Sequence, residues 1–144
     1  MIINTRHTGF VVDDIERCID FYLGLGLKLI SRKLESGEYI DKLVGLKNTK
    51  LEWAKLSLPD NSMIEILKYH SHGEIFNNSN QLANRLGCSH LALTVEKIED
   101  IIKYFIENGG SVLEDFQISP DGKVKVIYCY DFEGNIIEIV QEIH

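Results

Sequence analysis

Four side chains in this sequence have the types and spacing to hold a divalent cation: His7, Glu65, His90 and Glu138. Each histidine opens a strand-like run, Arg6-His7-Thr8-Gly9-Phe10-Val11-Val12 and Ser89-His90-Leu91-Ala92-Leu93-Thr94-Val95. Each glutamate sits between aliphatic residues, in Ile64-Glu65-Ile66-Leu67 and Ile137-Glu138-Ile139-Val140. A carboxylate so placed on a buried strand is costly unless it is paired or bound to a metal. Two imidazoles and two carboxylates suit a borderline divalent cation, and positions beyond the four ligands would admit water or a substrate. Alone, each histidine reads as a hydrogen-bonded structural residue and each glutamate as a side chain facing solvent on an edge strand. What ties the four together is a repeat.

Sliding the chain by 83 residues lays His7 on His90, Val12 on Val95, Ile15 on Ile98 and Ile19 on Ile102. A slide of 73 lays Glu65 on Glu138. A repeat dictates architecture, so the elements that position the four residues are read as two equivalent modules. In the first strand His7, Gly9 and Val11 share one face and Thr8, Phe10 and Val12 the other. Asp13 suits an N-cap with Glu16 completing a capping box. The following helix buries Ile15, Cys18, Ile19 and Tyr22 as one stripe and stops at Gly24 and Gly26. A second strand spans 27–32, a polar turn 35–38, and 39–46 is a short helix or a flap. Strands over 50–58 and 63–67, joined by the Pro59-Asp60-Asn61-Ser62 turn, complete the first module.

The second module repeats the order. A strand starts at His90 and a helix covers about 96–108, with Gly109-Gly110 as its stop. Strands follow from Ser111, over 123–130 and over 136–140, the last two joined by Asp131-Phe132-Glu133-Gly134-Asn135. The modules are expected over 1–69 and 85–144, with a polar linker at 70–84. The first carries ten more residues between its histidine and its glutamate, most naturally within 33–48.

Composition narrows the function. The net charge of −7, from 22 acids and 15 bases, argues against a nucleic-acid partner, which needs a basic face. No long apolar run or signal peptide is seen, so a cytoplasmic protein with no membrane partner is expected. Cys18, Cys88 and Cys129 are scattered and read as buried thiols rather than disulfides. His70-Ser71-His72 lies in the polar linker and reads as exposed loop. Trp53, Tyr128 and Tyr130 are as consistent with core as with a pocket. Cys88 would share the face of His90, and nothing marks it as a nucleophile. Asp20, Glu99 and Asp100 read as a solvated helix face.

The stretch from His7 to Glu16, with Phe21-Tyr22-Leu23-Gly24-Leu25-Gly26-Leu27, Ser89-His90-Leu91-Ala92-Leu93 and the run from Tyr130 to Glu138, resembles the vicinal oxygen chelate superfamily. That superfamily includes glyoxalase I, methylmalonyl-CoA epimerase, extradiol dioxygenases and antibiotic-resistance proteins. The final run is similar to its aspartate–proline–aspartate–glycine–asparagine turn and ligand glutamate, with Phe132 for proline and Glu133 for aspartate. The resemblance implies an α+β fold of two βαβββ modules whose curved mixed sheets form a cleft around a metal. It places ligands at His7, Glu65, His90 and Glu138; occupancy of all four is similar to glyoxalase I. It implies a divalent metal cofactor (nickel, cobalt, zinc, manganese or iron), a small-molecule substrate and a homodimer. The activity it implies is a lyase or isomerase of the glyoxalase I or epimerase type, moving a proton next to a carbonyl through a metal-stabilised enediolate. Glu138 or Glu65 is the expected general base, with Glu138 favoured because its surrounding motif is more complete. The segment 39–46 would close over the cleft. Alternatives are an antibiotic-binding resistance protein and an iron-dependent dioxygenase.

Overall fold

A computed structural model describes residues 1–73 and 82–144 of the chain. Twelve elements run in the order β1 (Thr8–Val11), α1 (Ile15–Gly24), β2 (Lys28–Ser36), α2 (Glu38–Val44), β3 (Lys50–Ser57), β4 (Met63–Tyr69), β5 (Leu91–Thr94), α3 (Ile98–Glu107), β6 (Ser111–Val112), β7 (Gln117–Ile118), β8 (Val124–Tyr130) and β9 (Ile136–Glu142). The chain divides into two compact units, Met1–Phe76 and Asn77–His144. Of the linker expected at 70–84, residues 74–81 lie outside the described residues.

Each unit carries one mixed sheet, the α+β arrangement the family resemblance implies. In the first the strand order is β1-β4-β3-β2, and in the second β5-β9-β8-β6 with β7 also on β8. The first strand of each unit runs parallel to its last, β1 with β4 and β5 with β9, and the remaining pairs are antiparallel. A parallel pair needs a crossover between its strands, and the helix after the first strand begins it.

Period-two alternation sends one row of each strand toward its helix. In the first unit Ala54, Leu56, Ile64 and Ile66 are buried with Cys18, Ile19 and Tyr22 of α1. In the second, Ile127, Cys129, Ile137 and Ile139 are buried with Ile98 and Phe105 of α3. The other row, turned away from the helix, carries Gly9 opposite Glu65 and Ala92 opposite Glu138. His7 and His90 lie two residues before these and share their face.

Local differences from the expected elements have simple causes. The cap of α1 is Asp14, one residue later than expected, and its carboxylate accepts from the Arg17 amide at 3.0 Å. Asp13 instead pairs with Lys68 of β4, and Glu16 pairs with Arg32 of β2. The stop is a Schellman motif, with Gly26 N–H donating to the Leu23 carbonyl and Leu27 N–H to that of Tyr22. Gly26 has φ +96°, which a side chain would strain. Strand β2 runs on to Ser36, through the expected turn, because its pairing with β3 continues to Ser36–Lys50.

The 39–46 segment is the helix α2. The Asp41 carboxylate accepts from the amides of Asn48 and Thr49 at 2.9 and 2.8 Å, tying the helix to the start of β3. In the second unit α3 starts at Ile98, where the amide donates to the Gln141 side chain at 2.8 Å. Gly110 follows it at close quarters, since a Cβ there would meet the Tyr130 carbonyl oxygen at 2.5 Å. The strand from Ser111 is only two residues long, and β7 was not expected. Cys18 and Cys129 are buried, whereas Cys88 is exposed, contrary to the expectation for all three. Burial pushes the Cys129 thiol up to about 12. No helix among the described residues is long and apolar enough to cross a membrane.

Candidate metal-ligand pairs

The structure brings the four singled-out residues together in two pairs, one in each unit. His7 Nε2 lies 3.0 Å from Glu65 Oε2, and His90 Nε2 lies 2.7 Å from Glu138 Oε2. The burial matches too, at 28% and 14% side-chain exposure for the first pair and 28% and 22% for the second. Both pairs arise from the same register: a histidine two residues ahead of the parallel partner of the glutamate. Within either unit, no third His, Cys, Asp or Glu among the described residues joins the pair into a metal-holding group.

The surroundings of His90 show what the pair can accept. Ser89 Oγ donates to the Ala83 carbonyl at 3.0 Å, so its hydrogen is engaged and it accepts from His90 Nδ1 at 3.2 Å. With Nδ1 carrying the proton, a neutral imidazole turns the Nε2 lone pair on a carboxylate oxygen 2.7 Å away. Two electron pairs at that distance need positive charge between or beside them, supplied by a second proton or a cation. Two donors held at 2.0–2.2 Å in adjacent positions of one cation stand about 3 Å apart, so the observed separations suit a shared metal. The hydrogen bond behind His90 is the kind that orients a metal-binding imidazole. In the first unit His7 Nδ1 is buried with no hydrogen-bond partner among the described residues.

What flanks the two pairs differs. Across the sheet Glu65 faces Lys55, and Glu138 faces Tyr128. The Lys55 ammonium is 3.6 Å from Glu65 Oε1 and 4.8 Å from the centre of the Trp53 ring. The Trp53 indole donates to Glu35 Oε2 at 3.1 Å, and Glu35 pairs with Lys33 at 2.6 Å. The Lys33 ammonium, foremost, together with the indole holds the Glu35 carboxyl below the usual range. The Tyr128 ring lies 4.9 Å from that of His90. Burial and then the Glu138 charge push its phenol up, so Tyr128 stays protonated. Tyr128 therefore lies beside the pair rather than in the core, which its alternation had left open. Lys55 was not singled out from sequence; the available signal was a lysine among the apolar residues of an alternating strand.

The other candidates have structural occupations. His70 Nε2 lies 2.8 Å from Glu52, which also accepts from Arg32 at 2.7 Å. Ser71 Oγ accepts from the Lys50 amide at 2.8 Å. His70 and Ser71 thus fasten the chain after β4 to β3. Glu99 pairs with Lys125 of β8 at 2.7 Å.

A four-stranded and a five-stranded mixed sheet, each bringing a histidine and a glutamate together at its parallel pair, define a duplicated fold with a candidate metal-ligand pair in each half. The chain belongs to the Glyoxalase/Bleomycin resistance protein/Dioxygenase superfamily, whose profile matches residues 5–139. It is 30% identical over 139 residues to a lactoylglutathione lyase of Escherichia coli O157:H7, covering 94% of this chain and 90% of that protein. A glyoxalase family protein from Bacillus cereus has the same fold, with a TM-score of 0.92 at 23% identity over 100% of this chain and 97% of that one. A fosfomycin resistance protein from Listeria monocytogenes, solved as a mutant with manganese(II) and a dihydroxypropylphosphonic acid, superposes with a TM-score of 0.65 at 14% identity, covering 96% of this chain and 90% of that one.

Proposed function

We propose that the protein is a divalent-metal-dependent lyase or isomerase of the glyoxalase type, which moves a proton next to a carbonyl group of a small substrate. The ligands are His7, Glu65, His90 and Glu138. The observation that carries this reading is the matched approach of imidazole Nε2 to carboxylate in both units, at 3.0 and 2.7 Å. The relative named lactoylglutathione lyase supports it, as does the manganese in the Listeria structure.

A bound divalent cation supplies a Lewis acid that polarises the substrate carbonyl and acidifies the neighbouring C–H. Glu138 takes that proton on a carboxylate oxygen and returns it to the adjacent carbon. His90, oriented by Ser89, stands beside that carboxylate with its Nε2 lone pair toward the cation they would share. Tyr128 walls the same face with a phenol that remains a donor. Glu65 and His7 complete the ligand set.

Calorimetric titration of purified, chelator-treated protein with nickel or manganese is expected to show saturable uptake, lost in a His7→Ala, His90→Ala double variant. Exchange of the proton next to the carbonyl of a small carbonyl substrate, followed by NMR in deuterated water, should depend on that cation. Failure to take up any divalent metal would end this reading and leave the ligand-sequestering alternative.

A further inference from the structure

Lys55 has no part in the metal-ligand set, yet its charge is held beside it. Its side chain is 28% exposed and stands in the middle of β3, on the face of the sheet that carries His7 and Glu65. A half-buried ammonium needs compensation, and here it is incomplete. Glu65 at 3.6 Å is beyond hydrogen-bond length, and the Trp53 ring at 4.8 Å gives cation–π attraction without accepting in a specific direction. The ammonium therefore keeps hydrogen-bonding capacity on a face that also carries a candidate ligand carboxylate. The Trp53 ring beside it is anchored through its indole N–H to Glu35, which is tied to Lys33.

We infer that Lys55 binds an oxyanion of the substrate and so selects carbonyl compounds with a negative group beside the reacting centre. This rests on the proposed ligand role of Glu65. Once Glu65 shares its charge with a cation, Lys55 loses much of the compensation from its nearest anionic partner, because the cation and the two carboxylates together are neutral. A ligand oxyanion replaces that partner, at the roughly 2.8 Å of a charge-assisted hydrogen bond. Because the ammonium is only 3.6 Å from the Glu65 oxygen, the oxyanion it holds lies close to a substrate atom bound next to Glu65. A 2-oxo acid or its phosphonate counterpart meets that requirement. A tripeptide thiol adduct, whose carboxylates are many bonds from the carbonyl, does not.

Trp53 is the only tryptophan in the chain and touches Lys55, so its fluorescence reports on this position. Manganese-loaded protein is titrated with pyruvate, with neutral hydroxyacetone and with S-hexylglutathione, for the wild type, Lys55→Met and Lys55→Arg. Pyruvate is expected to bind saturably, to weaken at least tenfold in Lys55→Met and to stay within threefold in Lys55→Arg, while hydroxyacetone changes less than twofold. Equal pyruvate affinity in the wild type and Lys55→Met overturns the inference, as does saturable binding of S-hexylglutathione alone. Calorimetric manganese uptake by the same proteins separates the two readings. Normal uptake with either of those results removes only the oxyanion role, whereas absent uptake removes the metal-dependent function. Matching far-ultraviolet circular dichroism shows that Lys55→Met is folded.

Discussion

The two units repeat one design and finish it differently. In each, a histidine before the first strand meets a glutamate of the last, yet Glu65 faces an ammonium and Glu138 faces a phenol. The histidines differ as well: His90 is oriented through Ser89, while His7 leaves its Nδ1 buried and unbonded among the described residues. The contrast extends behind the sheets. Arg32 bridges Glu16 of α1 and Glu52 of β3, and its charge is held well above the usual range by Glu16 first and Glu52 second. In the second unit the ion pair in that place is Lys125–Glu99. The repeat places an equivalent histidine–glutamate pair in each unit, and the cross-strand neighbours, Lys55 and Tyr128, make the two pairs unequal. Under the proposed function, the pair without a cation neighbour, built on Glu138, would carry the proton, while the one beside Lys55 would hold metal and ligand charge.

The sharpest way to break this comparison is to remove each carboxylate in turn. Glu138→Gln is expected to lower substrate proton exchange by about 10²–10⁴-fold, the usual contribution of a positioned general base. Glu65→Gln should act mainly through weaker metal uptake and recover part of its activity at high metal concentration. Equal, unrecoverable losses in both variants would show that the halves share the proton work.

The cores should behave alike where the sites do not. Ile66 and Ile139 occupy matching positions next to their glutamates and are essentially inaccessible. Truncating either to alanine should cost about 2–5 kcal/mol, read from urea unfolding midpoints. A large cost in one unit alone would mean that the packing has diverged with the sites.

A smaller effect tests the turn that leads to Glu138. Asp131 is buried, and its carboxylate accepts from the amides of Glu133 and Asn135 and from the Asn135 side chain at 2.9–3.0 Å. Asp131→Ala leaves these donors without that acceptor and should cost about 1–3 kcal/mol. The same variant should weaken metal uptake through the second pair, because β9 begins just beyond this turn. Unchanged metal affinity would separate the turn from the site.

The gentlest probe is acid. In the folded first unit the carboxyls of Asp41 and Glu16 are held below their ordinary values, by the Thr49 amide and by Arg32 respectively. The unfolded chain then binds protons more readily than the folded one. The stability these groups contribute is present above the ordinary carboxylate range and is lost as pH falls through it toward the lower folded values. Urea midpoints should be flat near neutrality and decline below about pH 4.5. A Glu16→Gln, Asp41→Asn double variant should flatten that decline; an unaltered acid slope would place the proton uptake elsewhere.

Local chemistry set much of this molecule from the sequence alone. The repeat, the period-two strands, the apolar stripe of α1 and the glycine stops depend on neighbours along the chain, so they were legible. The matched placement of His7 with His90 and of Glu65 with Glu138 was legible as well, because the repeat writes the pair twice. The cap of α1 moved from Asp13 to Asp14 because Lys68, distant in sequence, engages Asp13. Tertiary structure alone decided that Lys55 stands beside Glu65 and Tyr128 beside Glu138. Those neighbours are fixed by the register between antiparallel strands, where a slip of one residue would turn each side chain to the opposite face.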